Sequence, residues 1–218
     1  MNRTKNTLGW CDWSWNPITG CRGGCWYCYA RAMYRRFGWS FEPQFHPERL
    51  IEPMHLRKPS RIFACSVSDF YGPWNPSGSQ YEVQEMMREC PQHTFLILTK
   101  QYEQLYPLSD NVWIGVTITN RLLAQEAINY LKSRTGQCLK YVSFEPLLDR
   151  ITCDLSGIDW IIIGRLSGPK RNSEPFNPEW VQSLLDQART RNIPCFIKNN
   201  VGWPERLQQF PQEATSRG

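Results

Sequence analysis

The sequence predicts an α/β protein, an incomplete (β/α)6–7 barrel of the TIM type, as one domain over residues 1–218. Three observations carry this. Short β-branched or aromatic runs alternate with segments of helical period, the pattern of parallel βα units. The runs are apolar throughout, as strands buried on both faces are. Finally, 218 residues falls a little below the roughly 250 of a full eight-fold barrel. A doubly wound open sheet is the alternative reading of the same alternation.

A short first strand is expected within residues 13–18, ahead of a cysteine-rich loop. Six longer runs follow: RIFACSV (61–67), TFLILTK (94–100), VWIGVTI (112–118), LKYVSFE (139–145), WIIIG (160–164) and IPCFIK (193–198). Tyr29, Met33 and Phe37 share one face of a helix ending at Gly38. Val83, Met86, Met87 and Cys90 follow the i, i+3, i+4, i+7 spacing, and Pro91 stops them. Asn120 is positioned to cap a helix that buries Leu123, Ala127 and Leu131 before Gly136. Asn177-Pro178 is a cap followed by proline at the first helical position, with Trp180, Leu184, Leu185 and Ala188 inward. The stretch YGPWNPSGS (71–79) reads as a loop within the domain.

Composition bounds the function classes. With 41% apolar and 21% charged residues, the chain is that of an ordinary folded protein. MNRTKNTLGW has no apolar core of a secretory signal, and no run is long enough to span a bilayer. A soluble cytoplasmic protein with no membrane partner is therefore expected. In that compartment nine cysteines read as metal ligands, core thiols or catalysts rather than a disulfide framework. The net charge of +5 is compatible with a phosphate-bearing partner and decides little.

Polar residues collect where the runs end: Ser66, Ser68 and Asp69; Lys100; Thr117 and Asn120; Ser143 and Glu145; Gly164 and Arg165; Lys198. In a βα barrel these ends share one rim, where ligands bind. Each residue also has a plainer role open to it. Asp69 can cap a turn, Glu145 can pair with a lysine, Lys100 and Lys198 can be solvated strand ends, and Tyr27 can be core.

The loop GCRGGCWYCYA (20–30) carries Cys21, Cys25 and Cys28 in the spacing C-x3-C-x2-C. Structural thiols do not fit three cysteines beside two glycines. Zinc would need a fourth ligand, for which Cys11, His46, His55 and Cys65 are available. A four-iron cluster held by three thiolates would leave one iron open.

This spacing, with an aromatic before the last cysteine, resembles the signature of the radical S-adenosylmethionine (SAM) superfamily. The stretches WSWNPITGC, CWYCYA, SVSDFYG, LTK, GVTITN, SFEPLL and IIIG followed by SGP resemble the phage-type three-cysteine-motif family, compact relatives of those enzymes, over about residues 10–202. The resemblance implies a [4Fe-4S] cluster on Cys21, Cys25 and Cys28, with SAM chelated at the open iron. It implies reductive cleavage to a 5′-deoxyadenosyl radical that abstracts hydrogen from an unidentified substrate, and hence an electron donor. Tyr27, Ser66, Ser68, Asp69, Thr117, Asn120 and Gly164 become candidate cofactor contacts; Lys100, Glu145 and Lys198 become candidate catalytic residues. The chain departs from the pattern at GRLSG (164–168), where Arg165 and Leu166 stand in an expected Gly-Gly-Glu-Ser-Gly-like turn. Arg165, Lys170 and Arg171, with Arg31, Arg35 and Arg36, are compatible with a nucleotide or nucleic-acid substrate. The alternative is a zinc or iron–sulfur interaction module, binding nucleic acid or a partner protein without SAM chemistry.

Overall fold

A computed structural model describes residues 1–168 and 173–211. Lys170 and Arg171, singled out above, lie outside the described residues. The main sheet has eight strands, β1 (Asn2–Arg3), β2 (Trp13–Trp15), β5 (Arg61–Ala64), β6 (Thr94–Thr99), β7 (Val112–Thr117), β8 (Lys140–Phe144), β9 (Trp160–Ile163) and β10 (Cys195–Ile197), side by side in that order. Two further strands, β3 (Ile18–Thr19) and β4 (Gln44–Phe45), pair with each other. Within the main sheet β1 runs antiparallel to β2, and β2, β5, β6, β7, β8, β9 and β10 are parallel; β3 and β4 pair antiparallel. Every one of the six predicted runs contains a strand. Because the parallel strands follow one another in chain order, the sheet has no switch point, and the doubly wound alternative is excluded.

The helices are α1 (Tyr29–Arg36), α2 (Ser79–Arg88), α3 (Ala124–Arg134) and α4 (Pro178–Arg189). Asn177 caps α4 as expected, accepting from the Glu179 N–H. Asn120 does not cap α3. Its Oδ1 takes the Leu122 N–H at 3.1 Å in a local turn, and the helix begins at Ala124. Fewer βα units carry a helix than six or seven: β6 and β7 are joined through one 3-10 turn, Tyr102–Gln104, and β8 and β9 through irregular chain. Proline punctuates the first connection at Pro107, and proline and glycine the second at Pro146 and Gly157. Among the described residues, no helix is long and apolar enough to cross a membrane.

Alternation along the strands builds two cores. Ile62, Ile97, Ile114, Val116, Val142, Phe144, Ile161 and Ile163 face the helices, meeting Val83, Met87, Ile128, Leu131, Leu184 and Leu185. The opposite face is aromatic: Trp10, Trp113, Tyr141, Trp160 and Phe196, with Phe63 and Phe210 against them. Trp160 is central, 5.9 Å from Trp113, 5.7 Å from Tyr141 and 6.2 Å from Phe196 between ring centroids. Gly115 leaves space for Tyr141, whose ring a Cβ there would meet at 2.5 Å.

The sheet curls around this cluster. Gly9, which precedes β2, approaches the Phe196 ring of β10 at the far end, and a Cβ on it would lie 3.1 Å away. Arg61 of β5 stacks 3.8 Å above the Phe210 ring. The free edge of β10 is covered by residues 207–209, which bond back through Ile197 N–H to Leu207 O and Gln209 N–H to Cys195 O.

Candidate functional site at the C-terminal strand ends

The site is reached by continuing each strand two residues beyond the aromatic layer. Since side chains alternate, Leu98 leads to Lys100, Gly115 to Thr117, Tyr141 to Ser143 and Glu145, Ile162 to Gly164, and Phe196 to Lys198. The inner face thus changes from aromatic to polar within one pleat, at the C-terminal ends of the parallel strands.

The cysteine loop follows β2 and β3 and lies over these ends. Gly20 bridges to Ser68, and Cys21 N–H bonds to Phe41 O at 3.2 Å. Gly24 has φ +68°, a left-handed conformation suited to glycine. The Gly23 N–H donates to Cys21 Sγ at 3.2 Å, and Trp74 packs beneath, 3.6 Å from where a Gly23 Cβ would stand. Burial pushes the Cys21 thiol up to about 11, an effect eased by that amide. Cys28 caps α1, its sulfur accepting the Arg31 N–H at 3.4 Å. All three cysteines are half-buried and free.

Beside the loop, Tyr27, Lys100, Tyr102, Thr117, Thr119 and Asn120 line a hollow of about 140 Å³. Lys100 Nζ lies 5.7 Å from the Tyr27 ring centroid. Burial, then the nearby Cys25, raise the Tyr27 hydroxyl well above its ordinary range. Thr117 Oγ1 is buried and has no hydrogen-bond partner among the described residues. A buried hydroxyl is ordinarily satisfied, so this one is available to a ligand.

Across the mouth, Lys198 Nζ donates to Glu145 Oε1 at 2.5 Å. Both side chains are largely enclosed, at 14% and 24% exposure. Gly164 makes room for this pair, because a Cβ there would stand 2.7 Å from the Glu145 carboxyl carbon. Gly164→Ala is expected to cost about 1–3 kcal/mol by overpacking and to displace the Glu145 carboxylate from Lys198. A lower unfolding midpoint checks this.

The end of β5 is tied down differently. Asp69 is buried, and its carboxyl accepts from Thr99 Oγ1 at 2.6 Å, Lys100 N–H at 3.0 Å and Tyr71 N–H at 3.2 Å. Burial pushes this carboxyl up, and the donors from Lys100 and Thr99 oppose the shift. Ser68 Oγ donates to Ile18 O at 3.0 Å, and Ser66 Oγ to Asn16 Oδ1 at 3.1 Å. These three residues therefore shape the rim under the cysteine loop.

Residues not singled out beforehand also reach the mouth. The Tyr29 hydroxyl donates to Ser66 O at 2.6 Å. Asn16 accepts from both Ser66 and Val67, and Tyr102 joins the hollow. Position next to the motif, in CWYCYA and WNPITGC, is the sequence signal for Tyr29 and Asn16. In the departing turn, Leu166 is buried, whereas the Arg165 guanidinium covers the Phe176 ring at 4.9 Å. Asn200 holds the Arg165 backbone from both sides, at 3.3 and 2.7 Å.

The thiols of Cys21, Cys25 and Cys28 are the donors the loop offers to a metal group. Among the described residues, no three His, Cys, Asp or Glu side chains gather closely enough for one metal ion. Zinc would draw its thiolates to about 2.3 Å from one point. Of the four candidate fourth ligands, His46 bonds Thr19 at 2.8 Å, Cys11 bonds Thr4 at 3.2 Å and Cys65 is buried in the core, whereas His55 is exposed at the end of the 3-10 turn Glu52–His55.

No curated protein and no solved structure matches the chain. A model of the family described as "Protein of unknown function (DUF5131)" matches residues 5–217, nearly the whole length, and the chain belongs to that family.

Proposed function

We propose that this chain is a radical SAM enzyme on an incomplete (β/α) barrel of the TIM type, acting in the cytoplasm. Cys21, Cys25 and Cys28 would hold a [4Fe-4S] cluster, and SAM would bind beside it. The observation that carries the reading is the position of the three-cysteine loop: it overlies the C-terminal ends of parallel strands, facing a polar rim. When bound, the cluster and SAM supply one-electron reductive cleavage, with the electron coming from a separate donor.

The chain's own residues supply placement. Gly23 turns its amide to the Cys21 sulfur, which favours the thiolate form. Tyr27 and Lys100 wall the hollow suited to the adenosine moiety, and the Thr117 hydroxyl offers a partner to a sugar hydroxyl. Ser66, Ser68 and Asp69 hold the rim on which the amino-acid end of SAM would rest, and Asn120 bounds the hollow. Glu145 and Lys198, adjacent to Gly164, face the substrate, Nζ donating to Oε1.

Anaerobic reconstitution with iron and sulfide tests this. A brown protein with broad visible absorbance is expected, forming 5′-deoxyadenosine and methionine from SAM and dithionite. A colourless protein holding one zinc and cleaving no SAM overturns the proposal in favour of the interaction-module reading.

A further inference from the structure

We propose that the outer surface of α1 and the segment after it binds single-stranded nucleic acid. Residues 21–41 contain four arginines, Arg22, Arg31, Arg35 and Arg36, and no acidic residue. The same stretch exposes large rings: Phe37 at 55% and Trp39 at 56%. The expected helix face of Tyr29, Met33 and Phe37 is not buried; Ala30 is the one buried residue of α1. An apolar face left outside on a helix this short needs a purpose beyond packing.

The side chains form a continuous series in which guanidinium groups flank rings. Arg31 lies over Phe41 at 4.9 Å. Phe41 meets Tyr34 edge-on at 5.0 Å, and Tyr34 meets Trp39 at 5.6 Å. Trp39 stacks on Phe37 at 4.9 Å with 25° between planes, and Arg36 lies over Phe37 at 5.8 Å. Stacked rings bordered by arginines match the two invariant features of an unpaired strand, base faces and phosphates. Paired bases would not present their faces to Trp39, which argues against a duplex.

The surface is joined to the mouth of the site. Arg31 also donates to Cys21 O at 2.7 Å, so a strand seated on the rings runs beside the cysteine loop. Arg22 is paired with Glu42 at 2.8 Å, whereas Arg35 and Arg36 make no ion pair among the described residues. They are therefore the residues best placed to meet phosphates.

Fluorescence anisotropy with a labelled oligothymidine of about 16 nucleotides, the upper end of single-strand site sizes, tests the proposal on the full chain. The wild-type protein is expected to bind it and release it as salt rises. Trp39→Leu should weaken binding roughly 5- to 150-fold, the loss of one stacked base, while Trp39→Phe keeps it near wild type. Replacing Arg35 and Arg36 by Ala should reduce the slope of log affinity against log salt by about 1.4, two phosphates' worth. Unchanged unfolding midpoints show that the variants are folded. The proposal is overturned if the wild-type chain ignores the oligomer, or if the annealed duplex or phosphatidylserine vesicles bind as well or better. Variants that all bind like wild type overturn it equally. The measurement needs neither cluster nor SAM, so its failure and that of the radical SAM reading are separate results.

Discussion

Cys28→Ala is expected to abolish both the visible absorbance of the reconstituted protein and 5′-deoxyadenosine formation, and to loosen α1 as well. The two losses have different causes. The sulfur is a proposed iron ligand, and it is also the N-cap that accepts the Arg31 N–H. Replacing a capping side chain with alanine costs about 1 kcal/mol. On a domain of this size that lowers the unfolding midpoint by about 2–4 °C. α1 has little else to hold it, since Ala30 is its single buried residue. Cys28→Ser separates the effects, because serine is a good N-cap. The serine variant should keep the midpoint of the parent and still form no 5′-deoxyadenosine. If the alanine variant stays as brown as wild type, Cys28 is not a ligand, and the cysteine loop must be read again as structure.

The sheet was legible because its strands are buried on both faces. In WIIIG, Trp160 and Ile162 enter the aromatic core while Ile161 and Ile163 enter the helix-facing one, so no polar residue interrupts the run. The polar strand ends were legible for the complementary reason. A run that changes from Phe196 to Lys198, or from Tyr141 to Glu145, marks where the inner face stops being core. The α4 start was legible because Asn177-Pro178 fixes it locally.

What escaped the sequence depends on partners distant in the chain. Periodicity places Tyr29, Met33 and Phe37 on one face but does not say what covers that face. Strands β1, β3 and β4, two residues each, exist only through their pairing. Asn120 suits a helix cap in composition, yet its oxygen closes a tighter local turn first. The ion pair of Glu145 with Lys198 spans 53 positions, and the space that admits it comes from a third strand end, Gly164. For Asp69 the sequence offered a turn cap or a ligand contact. It could not show that both carboxyl oxygens are engaged by the end of the next strand.

That engagement makes Asp69→Ala the substitution with the largest expected cost to the fold. It would strip the acceptor from the Thr99 hydroxyl and from the Lys100 and Tyr71 amides at once, in a buried position. Each buried donor left unsatisfied costs about 1–3 kcal/mol, and relaxation keeps the sum below the arithmetic total. A loss of about 3–5 kcal/mol is expected, which on this chain lowers the midpoint by about 6–20 °C. Asp69→Asn should cost less, about 1–3 kcal/mol, because an amide oxygen can still accept from Thr99 and Tyr71. Its NH2 group would then face the Lys100 N–H, donor against donor. Thr99→Val combined with Asp69→Ala should cost less than the two single losses added, since the valine removes one of the orphaned donors. Urea or thermal unfolding of the protein without SAM measures all of these. The ligand-free condition decides between the two roles open to Asp69: a carboxylate that served only the amino group of SAM would leave ligand-free stability where it was, whereas one that ties the end of β5 to the end of β6 lowers it before any cofactor is added.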